Sequence, residues 1–429
     1  MGNVVFIGLH KTNEKYLLRE LPLKVGSKIA TKNRQADLEL NRQTLYNLRL
    51  FTRVNAQDSI FADTLIQVFD FQERWYYTPR AHVELQERTL NDLIAQPSLY
   101  RATLTTGLFW QNVAGHNETI EAFAKLGYTT GALIRFNKPY LWSIKPWDVS
   151  LEIEAYQQHE VLFADKNDHP TYLRVDNFPI LKLFNIEAAL ARRFNPRKSF
   201  TYVVGINGYF IADTLKTVKP EFVLQDKSSI YPYITVKYWH DTRDQRTFPL
   251  TGFKVQGSIQ ANYWPKVISN IKIEAQLSKH YPITHRWNIA AGAYAYSCIG
   301  SNMPYYERFF WGQKQYFIRG YEQYLIEGQA LLGFKSELKY GIIPRKMVHF
   351  RILPKKFQDW PLAFYLSAFG DVGYSYHQIL ASRLHNSLLP GVGIGANFLF
   401  LYDTFFRVEI SRNRFSETSI VLNFLLAIR

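Results

Sequence analysis

The sequence predicts a transmembrane β-barrel of about 16 antiparallel strands, preceded by one small α+β domain of element order β-α-α-β-β. Three observations carry this. Tyr, Phe and Trp (28, 31 and 9) make 16% of the 429 residues, yet the mean hydropathy is slightly negative. A soluble chain this aromatic buries its rings and reads as apolar overall. A membrane barrel places aromatics in two girdles and alternates apolar with polar residues, so its average is unremarkable. From about residue 77 the chain alternates with a period of two in segments of around ten residues, and nowhere has the roughly 18 consecutive apolar residues of a spanning helix.

Residues 1–76 read as the small domain. Val4-Val5-Phe6-Ile7 is a short apolar strand, and Thr12 or Asn13 caps a helix carrying Tyr16, Leu17, Leu18 and Leu21. A second helix covers about 34–48, with Leu38, Leu45 and Leu48 on one face. Strand-type stretches at 50–57 and 63–74 complete the sheet.

Residues 77–429 read as the barrel. Its segments centre on 80–88, 102–111, 117–126, 129–137, 148–158, 181–193, 199–211, 231–241, 252–262, 268–279, 286–297, 329–341, 361–376, 391–401, 404–412 and 417–428. In 271–278, Ile271, Ile273, Ala275 and Leu277 alternate with Lys272, Glu274, Gln276 and Ser278. Such a period places one set on each face of the sheet. An even count suits a closed barrel, which leaves no unpaired backbone edge in lipid. A long loop around 299–328 separates two of these strands.

Composition excludes several function classes. Cys298 is the sole cysteine, so no internal disulfide framework exists. The net charge of +15 comes from 51 Lys+Arg against 36 Asp+Glu that are scattered rather than clustered, which argues against nucleic acid as a partner. No G-x-S-x-G elbow, P-loop or H-E-x-x-H occurs, the histidines lack metal-ligand spacing, and neither catalytic residue nor cofactor is expected. Gly391-Val392-Gly393-Ile394-Gly395 sits between strands without a helix, and reads as strand glycines at a close approach. The start, MGNVVFIGLHKTNEKYLL, has no signal-peptide pattern, so the chain reads as a mature or trimmed form.

The stretch 307–342, with Ile318-Arg319-Gly320-Tyr321 at its centre, resembles the signature region of the superfamily that includes BamA, TamA and FhaC, outer-membrane insertases and two-partner-secretion translocases. The family's loop motif, (V/I)RG(F/Y), lies in a long extracellular loop folded back into the lumen, and the resemblance implies the same for the loop around 299–328. Further matches follow in order: DTRDQRTFPLTGF (241–253), FGDVG (369–373), and an early pattern with Asn112, Gly115 and Pro139. The N-terminal region resembles a POTRA domain. The final segment, SETSIVLNFLLAIR, departs from the family by ending in Arg rather than an aromatic.

Counting by twos turns Asp371 inward along 361–376, and Lys335, Glu337 and Lys339 inward along 332–340. A guanidinium carried into the lumen meets these carboxylates, and its planar fork suits bidentate pairing. The resemblance implies such a loop-to-wall ion pair between Arg319 and Asp371, with Glu337 as a further candidate. Gly320 permits the tight reversal at the loop tip. Asp241, Arg243 and Asp244 read first as strand-end charges organising a turn with Pro249 and Gly252, and only second as a carboxylate site.

The implied function is outer-membrane protein assembly, in which unpaired strand edges at a lateral seam template unfolded barrel clients by β-augmentation. Burial of the client's apolar face in lipid drives it, without nucleotide. The resemblance places the barrel in a bacterial outer membrane, the small domain in the periplasm, and accessory periplasmic or lipoprotein subunits among its partners. A translocation pore for a secreted polypeptide, an anchor for an upstream passenger enzyme and a plain diffusion porin are the alternatives.

Overall fold

The computed structural model describes the chain except residues 1, 24, 28–32, 62–63, 86–98, 141–146, 165–166, 196, 223–227, 246–247, 265–266, 301–303, 313–315, 350–358, 379–381, 401–403 and 426–429. The small domain has β1 (Asn3–Ile7), α1 (Glu14–Glu20), α2 (Arg34–Asn47), β2 (Phe51–Phe61) and β3 (Thr64–Glu73). The Asn13 side chain starts α1 by accepting the Lys15 amide at 2.8 Å. β3 lies between β1, its parallel partner, and β2, its antiparallel one. Alternate residues of β3 are buried. Phe69 and Phe71 pack there with Tyr16, Leu17 and Leu45 of the helices.

Only three residues separate β3 from the barrel wall, and the small domain is bonded to the wall turn at 112–118. The Glu73 carboxylate accepts the amides of Lys11 (3.1 Å) and Thr12 (2.8 Å). Thr12 Oγ1 meets Tyr76 Oη at 3.0 Å and accepts Asn112 Nδ2 at 2.9 Å, while the Asn13 amide donates to Gly115 O at 2.8 Å. Gly115 has φ +91°, and a Cβ there would lie 2.5 Å from Lys11 O, so the contact needs glycine.

Burial alone would raise the Glu73 carboxyl, but the Thr12 hydroxyl and the amides of Thr12, Lys11 and His10 overcome it and hold it below the ordinary carboxylate range. A depressed folded value contributes stability that is full above the unfolded value and is lost as pH falls through the folded one. The contact between the domains is therefore expected to loosen below about pH 4, and Glu73→Gln to loosen it already at pH 7. Proteolysis between residues 74 and 76, followed against pH, checks this; equal cleavage of both proteins at neutral pH would count against it.

The wall begins with β4 (Tyr77–Leu85), β5 (Ala102–Gln111), β6 (Thr119–Gly127), β7 (Thr129–Lys138) and β8 (Trp147–Gln158). A short hairpin, β9 (Glu160–Ala164) and β10 (Pro170–Arg174), stands above it. The wall resumes with β11 (Leu181–Asn195) and β12 (Lys198–Ile211). After helix α3 (Asp213–Val218) come β13 (Ser228–Asp241), β14 (Gly252–Trp264), β15 (Val267–Pro282) and β16 (Trp287–Ile299). β17 (Phe309–Trp311) and β18 (Ile326–Gly328) pair inside the next loop. Then follow β19 (Ala330–His349), β20 (Asp359–Tyr376), β21 (Leu388–Phe400), β22 (Thr404–Asn413) and β23 (Thr418–Leu425).

The wall is one 16-stranded sheet in which chain neighbours pair antiparallel from β4 to β23. Each expected segment coincides with one of its strands. The ends expected at 86–88, 401 and 426–428 lie outside the described residues. The short elements β9, β10, α3, β17 and β18 were not foreseen, being too brief to establish a period. Among the described residues no ladder joins β4 to β23.

One face of the sheet is apolar and open: Ile234 is 60% exposed, Val392 60% and Ile394 62%. That is the inverse of a soluble sandwich and fits lipid contact. Aromatics ring both ends of this face, Phe194, Phe200, Tyr238 and Trp287 toward the small domain and Phe210, Tyr263 and Tyr376 at the far rim. Phe200 and Phe210 lie ten residues apart on β12, roughly 33 Å along the strand and about 25 Å across a membrane once tilted. The other face carries the polar residues and encloses the lumen.

Candidate functional site

The loop between β16 and β19 turns back into the lumen, because its side chains complete an aromatic cluster on the inner wall. Trp311, Ile318, Tyr321 and Tyr324 are buried against Tyr294, Tyr296, Leu331 and Leu389. Wall glycines make the room. A Cβ at Gly333 would lie 2.6 Å from the Trp311 ring, at Gly373 2.5 Å from Ile318, and at Gly391 1.9 Å from Arg319 O. The glycines at 391–395 are thus strand glycines at close approaches, with Gly393 facing Ile410 O.

At the loop tip Arg319 reaches Asp371 on β20 through Nε (2.8 Å) and Nη2 (2.6 Å), and its backbone N–H donates to the same carboxylate at 3.2 Å. Nη1 donates to Glu409 on β22 at 3.3 Å and Nη2 to Ser336 O at 3.3 Å. The guanidinium lies 3.7 Å from the Phe369 ring centroid, a stacked cation–π arrangement. Asp371's side chain is 0% exposed and Glu409's 4%. A cation held this way between two desolvated carboxylates cannot be removed cheaply.

Gly320, at φ +95°, makes the reversal, and its carbonyl accepts Asn413 Nδ2 at 2.9 Å. Tyr321 Oη donates to Pro390 O at 3.1 Å, and Ile318 is buried beside Gly373.

Glu337 makes no hydrogen bond or close ion pair with Arg319, though its charge acts on the guanidinium, so the expectation from its inward position holds only at a distance. In register Glu337 stands opposite Phe369, whereas Lys335 stands opposite Asp371. Glu337 lies 3.6 Å from Lys339 and 3.9 Å from Arg407. The second carboxylate is Glu409. Its inward parity between Arg407 and Ser411 was legible; the choice between it and Glu337 depends on inter-strand register.

Sequence reasoning also missed a second attachment. Glu307 bonds Tyr231 of β13 and Lys272 of β15, and Tyr316 Oη donates to Glu274 of β15 at 3.0 Å. The loop is thus tied to β13 and β15 as well as to β20 and β22.

Asp241, Arg243 and Asp244 lie apart from this cluster, in the turn between β13 and β14. Arg243 forks onto Asp241 at 2.9 and 2.8 Å. Asp244 accepts the Leu250 and Thr251 amides at 3.0 and 3.2 Å and Arg345 Nη1 at 2.9 Å. Burial pushes Asp244 upward, but these donors prevail and hold it below the ordinary range. Gly252, at φ +93°, closes the turn, where a Cβ would lie 2.5 Å from Thr242 O; Pro249 precedes Leu250 within it. These acids organise backbone.

Residues 112–394 match the Omp85 superfamily domain. No curated protein matches the sequence. Among solved structures, BamA from Haemophilus ducreyi lacking POTRA domains 1–3 superposes with a TM-score of 0.64 at 12% identity, covering 99% of this chain and 83% of that one. CdiB from Escherichia coli gives 0.57 at 12%, covering 98% and 75%. CdiB from Acinetobacter baumannii gives 0.51 at 12%, covering 99% and 73%.

Proposed function

Because the chain belongs to the Omp85 superfamily, we propose that it inserts unfolded β-barrel polypeptides into a bacterial outer membrane by pairing their strands at a lateral seam between β4 and β23. The observation that carries this is the break in the ladder. Fifteen neighbouring strand pairs are joined around the wall, and among the described residues the terminal two strands are not. An unpaired edge exposes N–H and C=O groups that lipid cannot satisfy, so an incoming strand is favoured there.

In this reading residues 1–76 are a POTRA-like periplasmic domain and residues 77–429 the barrel, with the loop around 299–328 folded into its lumen. The rim bearing β9, β10 and residues 382–387 then faces the cell exterior. A through-pore for a secreted polypeptide requires the loop to leave the lumen, where it is tied to four strands. A lateral seam does not. Unfolded outer-membrane polypeptides and lipid are the partners, with periplasmic or lipoprotein subunits as accessories.

The test is insertion into vesicles. A urea-denatured small barrel protein, diluted onto phospholipid vesicles containing this protein, is expected to fold at least about tenfold faster than onto empty vesicles, a difference of some 1.4 kcal/mol in barrier. Equal rates on both would refute the proposal.

A further inference from the structure

At the rim distant from the small domain, three segments meet at a buried group of hydroxyl, imidazole and carboxylate side chains that insertion does not use. Asp168, in the turn of the β9–β10 hairpin, accepts the Leu325 amide of the lumen loop through its carbonyl at 2.7 Å. Its carboxylate accepts the Ser382 hydroxyl at 2.5 Å. Ser382 Oγ lies 2.7 Å from His385 Nδ1, which is 3.8 Å from the other Asp168 oxygen. The His385 ring packs against that of His377, centroids 5.9 Å apart, and His377 Nε2 lies 3.3 Å from Glu327 of the lumen loop. Arg308 pairs with Glu327. The neighbouring His169 packs on Tyr324, and Arg383 pairs outward with Glu417 at 3.1 Å.

The hydrogen-bond roles follow from what each group can do. A carboxylate only accepts, so the single Ser382 hydroxyl proton goes to Asp168. The Ser382 oxygen then accepts from His385, which fixes the neutral imidazole as its Nδ1–H tautomer. His385 Nε2 is left as a buried lone pair with no hydrogen-bond partner. Protonation would place an N–H there with the Glu327 carbonyl as its acceptor, and a charged ring in a buried group beside the His377 ring. The Glu327 carbonyl, which favours the charged form, is already bonded by Ser375 Oγ.

We propose that Asp168, Ser382 and His385 form an acid-released clasp, which joins the β9–β10 hairpin and the segment 382–387 over the lumen loop at neutral pH and parts in a mildly acidic medium. That this rim faces the exterior rests on the functional reading above; the clasp itself does not. Burial, with His377 beside it, pushes His385 below the usual histidine range, against the pull of Asp168 and Glu327. The open loop takes up its proton at the ordinary value near 6.5. Closure is therefore at full strength above that pH and weakens as pH falls below it.

The experiment is hydrogen exchange of segments 164–170 and 382–388 in the full chain embedded in lipid nanodiscs, at pH 7.5 and pH 5 and corrected for intrinsic rates. Insertion is not measured, so failure here is distinguishable from failure of the insertase reading. Wild-type protection is expected to be up to about 30-fold greater at pH 7.5, the value for one proton taken up at pKa 6.5. In His385→Asn, whose amide can donate to Ser382 but cannot charge, the ratio is expected to fall below about threefold. Ser382→Ala, which removes the link, is expected to do the same. A wild-type ratio near one, or a wild-type ratio in either variant, overturns the clasp.

Discussion

Arg319→Ala is expected to slow client insertion at least about tenfold while leaving the barrel folded. The barrel is held by its backbone ladders, which involve no Arg319 side-chain atom. Without the guanidinium, the buried Asp371 carboxylate loses both forked bonds, while Glu409 keeps Arg407 at 3.4 Å. Removing one member of such a buried group costs roughly 3–5 kcal/mol, enough to shift the loop tip from docked to undocked. The remaining ties of Glu307 and Tyr316 keep the first limb of the loop in the lumen. Arg319→Lys is expected to lie between, since an ammonium cannot fork onto Asp371 or stack on Phe369 in the same way. Resistance of the barrel to cold detergent reports folding, and the vesicle assay reports rate. An Arg319→Ala protein that inserts clients at the normal rate would remove the loop tip from the mechanism.

Much of this architecture was legible in the sequence because a period of two is a local signal. It needs no partner strand to be read, so all sixteen wall strands and the inward parity of Asp371 and Glu409 follow from single segments. What a single segment does not contain is register. Glu337 and Glu409 both point inward, yet only the tilt and stagger of β19 against β20 and of β21 against β22 bring Glu409 to Arg319. The same limit hid Glu307, whose partners are 76 and 35 residues away. The clasp was hidden for another reason. Asp168, Ser382 and His385 come from irregular segments, and 214 residues separate the first two.

The glycines show where sequence and structure inform each other. Gly391 reads from the sequence as a strand residue at a close approach and Gly373 as the end of FGDVG, and the loop supplies the object each one approaches: the Arg319 carbonyl and Ile318. The motif Ile318-Arg319-Gly320-Tyr321 and the wall glycines therefore form one packing arrangement. Loop and wall glycines are two sides of one contact.

Insertion at the proposed seam requires β4 and β23 to stand unpaired for a client strand. Both carry outward apolar residues near the same rim, Val83 at 62% and Ile420 at 53% exposure. Cysteines at Val83 and at Ile420 or Leu422, with Cys298 replaced by serine, give pairs from which the one meeting disulfide geometry can be found by oxidation. Oxidised protein in vesicles is expected to lose nearly all acceleration of client insertion, and reductant to restore it. Undiminished insertion by the fully oxidised protein would contradict a lateral seam.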